Sequence, residues 1–94
     1  MRDFSQIEQD IALVLSLLVG RLSNNASVHV REYSELHGEC GLALEDMLWS
    51  IEDEKVAVPS MAVEILQKLA LQVPIAPGAK AILANLEQEK RAST

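Results

Sequence analysis

The sequence predicts an all-α protein: a compact bundle of about five helices forming one domain over residues 1–94. Three observations carry that expectation. Apolar residues recur at spacings of three and four, the period of a helix face, and no stretch alternates apolar and polar for long. Glycine and proline fall between the periodic segments, at Gly38, Pro59, Pro74 and Pro77. With one Phe, one Tyr and one Trp, the core must be built from Leu, Ile, Val and Ala, which suits packed helices.

The first helix is expected over residues 5–22, with Ser5 and Glu8 spaced as a capping box. Between Ile11 and Val19 it is apolar nearly all round, which marks it as the central, most buried helix. Ser23, Asn24 and Asn25 then form a polar link. The second helix covers 28–37, with Val30, Tyr33, Leu36 and His37 on one face, and Gly38 stops it in the left-handed conformation. The third covers 39–54, where Leu44, Met47, Leu48 and Ile51 follow the i, i+3, i+4, i+7 rule. Val56 to Pro59 is extended, because a residue before proline is pushed out of helical geometry. Ser60 caps a fourth helix reaching Gln72, with Ala62, Leu66, Leu69, Ala70 and Val73 facing inward. Pro74 and Pro77 bracket a turn, and Pro77 opens a fifth helix to about Arg91 through Ile82, Leu83 and Leu86. The last residues, 92–94, are expected to fray.

The formal charge is −6, and its placement is informative. Between Arg31 and Lys55 stand eight acids against those two bases, while elsewhere six acids balance six bases. The whole excess therefore lies in the central quarter of the chain. Such a field repels nucleic acid and speeds encounters with basic proteins. The longest apolar run is half the length a bilayer span needs, and the acid-containing leader before it does not read as a secretory signal. With Cys40 the only cysteine, no internal disulfide can form, which fits a reducing compartment. A cytoplasmic protein is expected, with no membrane partner.

Helix three carries the sharpest signal. At about 100° per residue, Met47, Leu48 and Ile51 fall within about 60° of Leu44. Glu45, Asp46, Glu52 and Asp53 lie opposite, and Leu42 and Trp49 fall among those acids instead of on the core stripe. Two readings stay open. Leu42 and Trp49 are a second buried face under helix two or five, or they are an exposed anchor ringed by carboxylates, as in interface hot spots where Trp is enriched. On the second reading the partner-binding residues are Glu45, Asp46, Trp49, Glu52 and Asp53, with Glu35, Glu39 and Leu42 at the edge. A plain solvated face is the simpler account of the acids, but their concentration in one window favours binding.

Other chemistries lack their residues. Four zinc ligands at recognised spacings are absent, and nothing marks a base or oxyanion site for Cys40 as a nucleophile. Gly38 and Gly41 do not make a phosphate-binding loop. His37 suits the helix dipole and Cys40 the core. No enzyme activity, cofactor or metal is expected. Helices two and three around a glycine turn resemble a helix-turn-helix, yet the candidate recognition helix carries Glu45, Asp46, Glu52, Asp53 and Glu54 and no base before Lys55, a poor match to phosphates.

The run Gly38-Glu39-Cys40-Gly41-Leu42-Ala43-Leu44-Glu45-Asp46-Met47-Leu48 resembles the Gly-Glu-x-Gly-hydrophobic-Ala-Leu-Glu-x-Leu signature of MafI-type immunity proteins. The likeness extends over residues 30–71. The segment from Ile51 through Glu52-Asp53-Glu54 to Val56-Ala57-Val58-Pro59-Ser60 matches the acidic stretch and link of that family, and Arg21-Leu22-Ser23 its approach to helix two. The resemblance implies a small helical inhibitor, encoded beside polymorphic or contact-dependent bacterial toxins, that neutralises a cognate toxin domain, often a nuclease. It carries over no contact residues, and it implies a mainly structural role for Gly38, Glu39, Ala43, Leu44 and Glu45.

The expected partner is thus a basic toxin domain, with the oligomeric state left as monomer or dimer. The alternatives are a small regulatory protein (an antitoxin or transcriptional modulator), which would need a basic surface, and a secretion chaperone or adaptor using exposed apolar helix faces.

Overall fold

The computed structural model describes residues 4–36 and 38–92. Five α-helices follow one another: α1 (Phe4–Leu17), α2 (Asn24–Arg31), α3 (Cys40–Glu54), α4 (Ser60–Gln72) and α5 (Pro77–Ala92). A π-helical turn, Glu32–Leu36, continues α2. No strand occurs among the described residues, so the all-helical expectation holds.

Helix ends differ from the sequence reading where local hydrogen bonding overrides periodicity. α1 stops at Leu17, five residues early, because Gly20 takes a φ of 83° and breaks the ladder. Leu22 nevertheless stays buried, which is why apolar spacing ran through the turn. Ser5 lies inside α1 and does not cap it. Ser23, Asn24 and Asn25 are not a link: Ser23 caps α2, its Oγ accepting from the Ala26 N–H at 3.2 Å. The Glu54 carboxylate at the end of α3 in turn accepts from the Ser23 N–H (2.8 Å) and Oγ (2.7 Å). Arg21 donates to the Ala57 carbonyl at 2.8 Å, so the two connections are stitched together.

Gly38 has the expected left-handed backbone, with φ 63°. The Glu39 N–H reaches back to the Tyr33 carbonyl at 2.9 Å, and Glu39 sits at the N-cap of α3 with no side-chain cap bond. At the other end Lys55 adopts φ 53°, a left-handed cap on a non-glycine residue. α4 has the expected bounds, but Pro59 occupies its N-cap and Ser60 is its first residue.

The core is aliphatic. It joins Ile11, Val14 and Leu18 of the α1 segment, Val30 of α2, Leu44, Met47 and Leu48 of α3, Leu66 and Leu69 of α4, and Ile82 and Leu86 of α5. Ala70 is only partly buried. Tyr33 is partly exposed, while His37 and the Leu36 side chain lie outside the described residues. The most connected helix is α3, not α1. α3 packs against α1, α2, α4, α5 and the π turn, whereas α1 leaves Leu13 exposed, as is Val19 in the turn that follows it. An all-round apolar sequence did not produce an all-round buried helix, because only α4, α3 and the π turn cover α1 substantially. A radius of gyration of 12.1 Å matches the roughly 13 Å of a folded 100-residue chain.

Candidate functional site

The inward stripe of α3, with Cys40, Ala43, Leu44, Met47, Leu48 and Ile51 buried, fixes what its opposite side presents. Outward runs a ridge of Glu39, Leu42, Asp46, Trp49 and Asp53, spaced alternately three and four residues apart as one helix face demands. Leu42 is 47% and Trp49 51% exposed. Seven residues put them about 10 Å apart along the axis. Both readings of this pair hold in part: the apolar atoms face solvent, but the indole is half covered.

Against one edge of the ring stands Gly78, in the first turn of α5. A Cβ there would lie 2.8 Å from Trp49 Cζ2 and 3.2 Å from Cη2, so the missing side chain makes room for the ring. A second close approach occurs at the start of α3, where a Cβ on Gly41 would sit 3.2 Å from the Pro74 carbonyl. Together they set α5 alongside α3 and hold the indole by one edge.

Asp46 is the electrostatically unusual member. Its Oδ2 is shut off from solvent with no hydrogen-bond partner. Burial raises the pKa of its carboxyl above the ordinary value, and His29 on α2 acts in the opposite direction. A carboxylate oxygen left unpaired on a half-exposed ridge is expensive for the folded chain. A donor supplied from outside would relieve it.

Glu39, Glu52 and Asp53 are exposed, and Glu45 is half-buried. Glu52 belongs to the α5 side, sharing a groove with Leu86 and Glu89. Glu35 does not join them. It lines a depression with Val28, Arg31 and Glu32, and Val28 and Arg31 also border the groove against α1. His29, by contrast, lies close enough to Asp46 to act on its carboxyl electrostatically. The sequence reading missed Gly78, whose only signal was a glycine in a helical first turn, and Glu89, which no local spacing links to Glu52.

Cys40 is buried at the start of α3, and burial raises its thiol pKa against the smaller opposing effect of the Ser34 hydroxyl. Among the described residues no three His, Cys, Asp or Glu side chains are placed to hold a metal ion. No helix of the described residues is long and apolar enough to cross a membrane.

The class these features define is an all-helical bundle with an acidic, tryptophan-bearing face. Compared with protein-family models, curated proteins and solved structures, the chain matches none.

Proposed function

We propose that this protein is a cytoplasmic immunity-type inhibitor that binds a positively charged toxin domain, a nuclease by preference, through the outward ridge of α3. The observation that supports the reading is a half-exposed Trp49 beside Leu42, with carboxylates at Glu39, Asp46 and Asp53 on the same ridge and at Glu45 and Glu52 beside it. An apolar anchor rimmed by charge is the pattern of an interface hot spot. Carboxylates on that rim would occupy sites that a nuclease offers to phosphates, and the likeness of residues 30–71 to MafI-type immunity proteins points the same way.

The test is co-expression with a basic toxin-like domain encoded by the neighbouring gene. Wild-type chain restores growth and co-purifies with the domain, and Trp49→Ala weakens the complex by about 2 kcal/mol or more. Full protection by a folded Trp49→Ala variant removes the ridge as the contact. The adaptor reading has its own support in Leu71, 89% exposed, and Met61, 60% exposed, both on α4. A stable dimer in sedimentation, lost on Leu71→Ser, would favour it.

A further inference from the structure

We propose that the groove between the end of α3 and the last turns of α5 is a pocket for one arginine side chain of the positively charged partner protein. This deepens the reading above and rests on it. The groove holds about 400 Å³ of space, within the range of small-ligand sites. Its floor is Ile51, Val56 and Leu86, all largely buried. Its rim carries Glu52 from α3, Glu89 from α5 and Lys55 from the turn. Neither glutamate's carboxylate takes part in a hydrogen bond or ion pair among the described residues, although Lys55 lines the same groove.

An apolar floor below two unpaired carboxylates complements one kind of side chain. The methylene stem of a long basic residue covers the aliphatic floor while its charged head stays at the wet rim. Arginine suits the two acids better than lysine, because its planar fork presents separate donor pairs to separate carboxylates. A phosphate is repelled by the same rim. The site adjoins the proposed anchor: Glu52 is one turn beyond Trp49, so one partner surface spans both. Lys55 opposes the guest and keeps its affinity modest.

The test uses N-acetyl-arginine methylamide, titrated into the isotope-labelled full chain and followed by amide chemical shifts. Shifts concentrated at residues 51–57 and 86–89 are expected, weaker for the lysine analogue and absent for the neutral citrulline analogue. Glu52→Gln and Glu89→Gln should each weaken binding about threefold to fivefold, the scale of one exposed charge pair. Lys55→Asn, which tolerates the left-handed backbone, should strengthen it by about twofold to threefold. Opposite signs for acid and base variants are not what a purely structural role produces. Equal shifts from citrulline, or shifts spread over the whole surface, overturn the assignment. Because no toxin enters this titration, its failure leaves the ridge reading to the growth assay, and failure of that assay leaves the pocket to this one.

Discussion

Replacing Gly78 with alanine tests whether α5 holds the indole of Trp49. The new Cβ would stand 2.8 Å from Cζ2, a distance that carbon atoms do not tolerate, and the helical backbone cannot retreat far. The ring must swing outward. A tryptophan buries about 150–250 Å² when fully covered, and this one is about half covered, so roughly 100 Å² is at stake. At about 25 cal/mol per Å² that is about 2.5 kcal/mol as an upper bound. Alanine recovers up to about 1 kcal/mol through its better helix propensity. The net loss should be about 1–2 kcal/mol, read as a shift in urea midpoint.

Trp49 is the only tryptophan, so its emission reports the same event without ambiguity. A red shift should accompany the loss of stability. The double-mutant cycle with Trp49→Ala is sharper still. With the ring gone, Gly78→Ala keeps only the propensity gain and should stabilise, giving a coupling of about 2 kcal/mol between the two positions. Additive effects, or unchanged emission in Gly78→Ala, would refute the packing argument.

Asp46→Asn should raise the melting temperature at neutral pH. The folded carboxyl holds its proton more tightly than the unfolded one. Its contribution to stability is therefore full below the unfolded value and lost as pH rises through the folded value, so the advantage of the variant must widen from acid to neutral pH. A gap independent of pH would contradict it. Glu54→Ala removes the acceptor that secures Ser23 and should cost about 1 kcal/mol, with faster hydrogen exchange at the Ala26 amide as its local signature. Leu44→Ala, at a site with no solvent exposure where five elements meet α3, should cost about 2–5 kcal/mol in chemical unfolding.

The helix count, the bounds of α4 and the inward stripe of α3 were legible because each rests on local spacing and on punctuation by Gly38, Pro59 and Pro77. The turn at Gly20 was not, since Leu18 and Leu22 keep apolar spacing through it and only the backbone conformation reveals the break. Ser23 looked like link because its cap is completed by Glu54, 31 residues away. Part of the candidate face could be read by placing Leu42 and Trp49 opposite Leu44. How far the indole is covered could not, because that depends on Gly78, in a helix whose packing partner no periodicity names. The place of Glu35 was hidden for the same reason: its distance in sequence from Glu39 is short, but the π turn that continues α2 sets it with Val28 and Arg31.

α3 separates two demands that compete in a chain of this size. Its inward stripe meets every other helix and so carries much of the cohesion of the fold, while its outward ridge contributes only the half-covered Trp49 and the half-buried Asp46 to packing. Substitutions at Leu42, Asp53 or Glu39 therefore reach solvent or a partner without disturbing Leu44, Met47 and Leu48, and exposed surface changes of this kind usually stay within about 0.5 kcal/mol. A rigid helix also keeps its anchor and its carboxylates in fixed register, so little side-chain and loop ordering remains to be supplied on binding. If the proposed reading holds, a face whose chemistry can change while its frame stays fixed is what discrimination between related partners requires. On the same grounds, exchanging these ridge residues should redirect partner choice while leaving the unfolding midpoint nearly where it was.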